Sequence, residues 1–176
     1  FCGSGQQAVT FAAMGIQAGH QDLVVGGGIE SMSRWPVDNS PPDFTVGNAA
    51  LREKFPLVPQ GISADLIATI EGFSREDVDA FGVESQNRAA RALAEGAFDR
   101  SVVPIHNPDG SVALAVDEYP RPGSTVEGLG SLKPSFEAMG THVFDGYDVS
   151  FDEMCKQVYP QIDRVNHVHH AGNSSG

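Results

Sequence analysis

At 176 residues and 18.6 kDa the chain has room for one domain, or one domain with a large insertion. Its 40% hydrophobic and 19% charged content supports a packed core and argues against wholesale disorder. Asp and Glu number 23 against 11 Lys and Arg, a formal charge of −12 that no stretch of the chain reverses, which argues against a nucleic-acid or anionic-membrane surface because no basic patch can neutralise phosphates.

Gly3 to Gly19 carries apolar residues on nearly every helical face, from Ala8 and Phe11 to Met14 and Ile16, and reads as a buried helix. Asp22-Leu23-Val24-Val25, closed by Gly26-Gly27-Gly28, reads as a strand covered on both faces, as in a parallel α/β sheet. Trp35-Pro36, Pro41-Pro42, Pro56 and Pro59 make residues 34–60 an irregular excursion. Ser63 is placed to cap a short helix that ends at Gly72. Ser74, with Asp77 at the capping-box offset, opens a longer helix whose apolar stripe is Val78, Phe81, Ser85, Ala89 and Ala92/Leu93, with Gly96 as its stop.

Val102–Ile105 and Val112–Val116 read as strands joined through the turn Asn107-Pro108-Asp109-Gly110, with Pro104 marking the first as an edge. Residues 117–130 read as a polar loop, Asp152–Gln157 as a short helix and Val165–His170 as a final strand. No apolar run approaches the roughly 20 residues that cross a bilayer, so no membrane span is expected. Cys2 and Cys155 are too few for a disulfide-stapled domain and fit a reducing compartment and a cytoplasmic location. The chain opens at Phe1-Cys2 without Met and stops at a Gly/Ser turn, Asn173-Ser174-Ser175-Gly176, so a segment of a longer polypeptide is expected.

The chemistry centres on Cys2. Gly3-Ser4-Gly5 and a helix follow it, so the thiol stands where unsatisfied N–H groups and the helix dipole favour thiolate, lowering a pKa that starts at about 8.5. Two nearby glycines let a substrate carbonyl approach the backbone. One reading is an acyl-transfer nucleophile; the other is a small buried residue, as free cysteines usually are.

Phe1-Cys2-Gly3-Ser4-Gly5-Gln6-Gln7-Ala8-Val9, followed by Gly26-Gly27-Gly28-Ile29-Glu30-Ser31-Met32-Ser33, resembles the thiolase family of 3-ketoacyl-CoA and acetoacetyl-CoA thiolases. Gly61-Ile62-Ser63-Ala64-Asp65, Asp117-Glu118-Tyr119-Pro120-Arg121-Pro122, Leu132-Lys133-Pro134 and Ala171-Gly172-Asn173-Ser174-Ser175-Gly176 agree in the family's order. Val58–Thr69 and Asn166-His167-Val168-His169 look most like the β subunit of bacterial trifunctional fatty-acid oxidation complexes.

The resemblance implies a partial, layered thiolase-like α/β fold: part of the N-terminal core in residues 1–33, an inserted loop domain with CoA contacts in 34–161, and a return strand with its Gly/Ser turn in 162–176. It implies that Cys2 is the acyl-accepting nucleophile of a thiolytic acyltransferase in fatty-acid β-oxidation. It further implies that Ser175 contacts pantetheine and that Lys133 lies near the CoA nucleotide. Coenzyme A enters as substrate, with no metal and no resident cofactor. A homodimer or higher oligomer is implied, and with it an α subunit of a fatty-acid oxidation complex as partner. Pro59-Gln60 departs from the His-Met pair of short-chain biosynthetic relatives. The family's Gly-His-Pro histidine and Cys-x-Gly acid have no counterpart in this sequence, and Cys155, in Met154-Cys155-Lys156, reads as a structural thiol. The alternatives are a non-catalytic thiolase-like subunit that binds acyl-CoA, a biosynthetic acetoacetyl-CoA thiolase, and a condensing synthase, against which Cys-Gly-Ser-Gly speaks.

Other features invite blander readings. In His167-x-His169-His170 the alternate residues His167 and His169 would share a strand face, but no His or Cys set stands at zinc spacing, so a structural or pocket-lining role is the better account. Gly26-Gly27-Gly28 lacks the frame of a phosphate loop and reads as a tight turn. Glu30 reads as a hydrogen-bonded carboxylate, Asp148, Asp152 and Glu153 as a solvated acidic face, and Trp35 and Phe44 as core. The stretch Glu137–Gln161 is a candidate for docking a partner subunit or shaping the acyl pocket.

Overall fold

A computed structural model describes residues 3–29 and 48–174. The chain divides into two compact units, Phe1–Ser40 and Pro41–Gly176. The first holds α1 (Ser4–Gln17), which begins after Gly3, a residue with no side chain to cap it. Residues 22–29 follow without a pairing strand among the described residues. Gly26 meets the Ala8 carbonyl so closely that a Cβ would lie 2.7 Å from that oxygen, which is why glycine stands there.

Two expectations change in this unit. No described residue of α1 is buried, Phe11 being 63% exposed, and Val25 in the expected strand is 93% exposed. An all-apolar helix needs cover on several sides and a parallel strand needs a neighbour's ladder. Among the described residues of this unit, one short extended segment lies beside α1, so neither condition is met.

The second unit opens with α2 (Ala49–Lys54), capped by Asn48 accepting from Leu51 N–H. Next comes α3 (Gln60–Glu71), which starts after Pro59, a turn earlier than a Ser63 cap requires. Ser63 instead sits within the first turn and donates back to the Pro59 carbonyl. Gly72 ends α3 in the left-handed conformation at φ 75°, as expected. Then α4 (Arg75–Ala94) begins with the capping box: Asp77 N–H donates to the Ser74 hydroxyl, and the Asp77 carboxylate accepts from Ser74 N–H at 2.8 Å.

The hairpin is shorter than expected, β1 (Ile105–His106) pairing antiparallel with β2 (Val112–Leu114), because Pro104 brings no N–H to a ladder. Residues 117–130 contain α5 (Val126–Gly130) under a Thr125 cap. Thereafter come α6 (Glu137–Thr141), α7 (Phe151–Val158) under a Ser150 cap, and the single turn α8 (Ala171–Ser174).

The apolar core of this unit joins Ile62 and Leu66 of α3 to Phe151 and Cys155 of α7 and to Val165, with Phe136, Phe144 and Tyr147 against it. The stretch Glu137–Gln161 thus supplies half of a core. Cys155 lies inside it, where burial first and the Asp152 charge second push its thiol up to about 11. The apolar stripe expected on α4 is half-buried at Val78, Ser85, Ala89 and Ala92 but exposed at Phe81, which is 72% exposed, and at Leu93; the fully buried residues of the helix are Asp79 and Gly82. Gly82 admits the Gly172 carbonyl, from which a Cβ would be 2.8 Å away.

Candidate functional site

Residues 165–174 are not a strand. They run extended into α8, and side chains of two helices take the place of a sheet partner. On α3, Asp65 is fully buried among Ile62, Leu66 and Ala68. Its Oδ1 accepts from Val168 N–H at 3.0 Å, His169 N–H at 3.0 Å and His169 Nδ1–H at 2.7 Å. Its Oδ2 accepts from His167 Nδ1–H at 2.8 Å. One turn along, Thr69 Oγ1 accepts from Asn166 N–H at 2.8 Å while donating to the Asp65 carbonyl. A carboxylate that collects main-chain and side-chain donors in a dry site forms charge-assisted bonds stronger than neutral ones.

His167 is held from both sides, its Nε2 lying 3.0 Å from Asp152 Oδ2 on α7. Asp152 is therefore a partner of the return segment rather than part of a solvated face; Asp148 remains exposed and Glu153 pairs with Lys156 at 2.8 Å. With a carboxylate at each ring nitrogen both nitrogens donate, which requires the imidazolium form. Burial opposes that charge, but the hydrogen bonds from Asp152 and Asp65, reinforced by their charges, outweigh it and raise the His167 pKa. Since the folded value lies above the ordinary 6.5, this contribution to stability is complete below that pH and is lost as pH rises through the folded value. Urea midpoints of the wild type should fall over that upward range, and His167→Phe should flatten the dependence; an unchanged slope in the variant would contradict the assignment.

A second buried carboxylate, Asp79 on α4, holds residues 170–173. It accepts from His170 Nε2–H at 2.9 Å, from Asn173 Nδ2–H at 2.7 Å and from Arg75 Nε–H at 2.8 Å. The three imidazoles of His167-x-His169-His170 are each bonded to a carboxylate, and no group of His, Cys, Asp and Glu among the described residues is arranged to hold a metal ion. A cavity of about 420 Å³ borders the segment, lined in part by Phe73, Phe81, His169, Asn173 and Ser174.

Of the residues singled out from the sequence, Cys2 and Ser175 lie outside the described residues, as do Glu30, Trp35 and Phe44. Lys133 is exposed in the connection between α5 and α6. The anchors Asp65, Asp79 and Asn173 were not singled out. A carboxylate set among Ile62, Leu66 and Ala68 on one helix face was the available signal, because an acidic residue in such a place must have partners. No described helix is long and apolar enough to cross a membrane.

Comparison with known proteins gives this geometry a family. Residues 1–144 match the model of the thiolase N-terminal domain. The chain is 38% identical over 154 residues to the 3-ketoacyl-CoA thiolase of Bacillus subtilis, an alignment covering 80% of this chain and 39% of that protein. It is 38% identical over 149 residues to the human peroxisomal 3-ketoacyl-CoA thiolase, covering 80% and 35% respectively. Among solved structures, the dimeric peroxisomal thiolase of Saccharomyces cerevisiae superposes with a TM-score of 0.62 at 32% identity, over 85% of this chain and 37% of that one. The chain thus spans less than two fifths of the length of these relatives. Its mixed α/β architecture, with helices predominating, is a partial thiolase fold. The chain belongs to the thiolase family.

Proposed function

We propose that this chain carries the nucleophile of an acetyl-CoA C-acyltransferase that cleaves 3-ketoacyl-CoA by thiolysis. The observation that carries the reading is the stretch Phe1-Cys2-Gly3-Ser4-Gly5-Gln6-Gln7, which lies inside the family match and runs into the first turn of α1. In the proposed reaction the Cys2 thiolate adds to the 3-keto carbon of the substrate. The C2–C3 bond breaks, its electron pair passes to the acetyl-CoA enolate, and that enolate takes up a proton and leaves as acetyl-CoA. The acyl group stays on Cys2 as a thioester until the thiolate of free CoA displaces it, giving the shortened acyl-CoA and returning Cys2. The proton steps need a base and an acid that this sequence does not supply in the family's motifs, so turnover is assigned to the full protein.

Ser175 and Lys133 are the proposed contacts to pantetheine and to the CoA nucleotide, with residues 1–33 and 162–176 as core and 34–161 as the inserted loop domain. A homodimer is proposed by analogy with the dimeric yeast thiolase. A cytoplasmic location and an α subunit of a fatty-acid oxidation complex as partner complete the proposal. Thiolysis by the full protein, assayed with short- and long-chain 3-ketoacyl-CoA, tests it. Turnover with preference for long chains is expected. Preference for acetoacetyl-CoA would favour the biosynthetic alternative, and acyl-CoA binding without turnover would favour a non-catalytic subunit.

A further inference from the structure

The turn that leads into Ser175 is organised around the Asp79 carboxylate, which is 1% exposed. Asp79 Oδ1 accepts from both His170 Nε2–H and Asn173 Nδ2–H. Gly172 N–H donates to His170 Nδ1 at 3.0 Å, so that nitrogen carries no proton and the ring is the Nε2–H tautomer, the one that can donate to Asp79. Asn173 is used completely: its Nδ2 also donates to the Val168 carbonyl at 3.0 Å, and its Oδ1 accepts from His170 N–H at 2.8 Å. Ser174 closes the turn by donating its N–H and its hydroxyl to the His170 carbonyl. A single helical turn of four residues does not hold itself, because nucleation fixes more dihedrals than its bonds repay.

The other oxygen of Asp79 takes Arg75 Nε–H, and Arg75 reaches further. Its Nη2 donates to the carbonyls of Leu129 at 2.7 Å and Leu132 at 2.9 Å. Leu132 immediately precedes Lys133. One ion pair on α4, between the half-buried Arg75 and the buried Asp79, is therefore bonded both to the segment that runs into Ser175 and to the segment that carries Lys133.

We infer that Arg75 and Asp79 are positioning residues for coenzyme A, acting through His170 and Asn173 on one side and through the Leu132 carbonyl on the other, so that the two CoA-contacting segments share one anchor. The inference rests on the proposed reading of Ser175 and Lys133. It predicts a particular kinetic signature. Asp79 faces three donors, and asparagine can offer only one acceptor oxygen to them, so Asp79→Asn leaves at least one bond unmade. Neither residue is assigned to the acyl transfer itself.

The experiment measures KM for CoA and kcat in the full protein for Asp79→Asn, His170→Leu and His170→Gln, with circular dichroism to establish folding. Asp79→Asn and His170→Leu should each raise KM for CoA by about 10-fold or more and leave kcat at saturating CoA within about 3-fold, the loss of one buried charge-assisted bond. His170→Gln keeps an N–H donor for Asp79 and should restore KM to within about 3-fold of wild type. If Asp79→Asn does not fold, the two His170 variants decide the matter. Folded variants with unchanged KM, or a loss confined to kcat, would overturn the inference. A wild-type protein that binds no CoA would overturn the proposed function on which it rests, a result distinct from the first.

Discussion

Asp65→Ala is expected to cost about 3–5 kcal/mol, the range for removing one partner from a buried charged network. The variant strands the N–H groups of Val168 and His169 and the ring donors of His167 and His169, all of which converge on one fully buried carboxylate. Alanine offers those donors no acceptor at a position where the wild-type carboxylate is fully buried. Since a domain of this size is stable by only about 5–15 kcal/mol, the residues 48–174 should lose cooperative unfolding or show a sharply lower urea midpoint. Asp65→Asn keeps one acceptor oxygen and should fall between the variant and the wild type. A loss below about 1 kcal/mol for the alanine variant would show that the return segment is held by something other than Asp65.

Cys2→Ala in the full protein should lower kcat for thiolysis by at least about 10⁴-fold while leaving the affinity for acyl-CoA within a few-fold. The asymmetry follows from the role: the thiol makes the covalent bond, whereas binding is assigned to the segments that carry Ser175 and Lys133. Cys155 cannot substitute. Its thiol, pushed up to about 11 and packed in the core against α3, has almost no thiolate at neutral pH. Steady-state rates with a fixed 3-ketoacyl-CoA, alongside acyl-CoA titrations, separate the two effects. Retention of wild-type turnover would remove Cys2 from the mechanism.

Local chemistry was the legible part of this fold. The Ser74–Asp77 capping box and the left-handed stop at Gly72 involve residues a few positions apart, so their geometry follows from the sequence alone. The helix around Asp152–Gln157 was legible for the same reason, with Ser150 as its cap. The return segment was not. Val165–His170 is a short stretch with Val165 and Val168 and reads as a strand, but its partners are the Asp65 and Thr69 side chains, distant in sequence. The α4 face misled likewise, because hydrophobic periodicity does not register a buried carboxylate satisfied by Arg75, His170 and Asn173. For the proposed site, the family resemblance pointed to Cys2 and to Ser175 in the Gly/Ser turn, which lie outside the described residues, while the acidic anchors emerged only once α3, α4 and the return segment were seen together.

The most direct test is intact-protein mass spectrometry followed by peptide mapping, after the full protein is mixed with a 3-ketoacyl-CoA and quenched in acid before CoA is added. A single acyl adduct on Cys2 is expected, discharged when CoA is supplied, with Cys155 unmodified. An adduct on Cys155, or none in a protein that still turns substrate over, would contradict it.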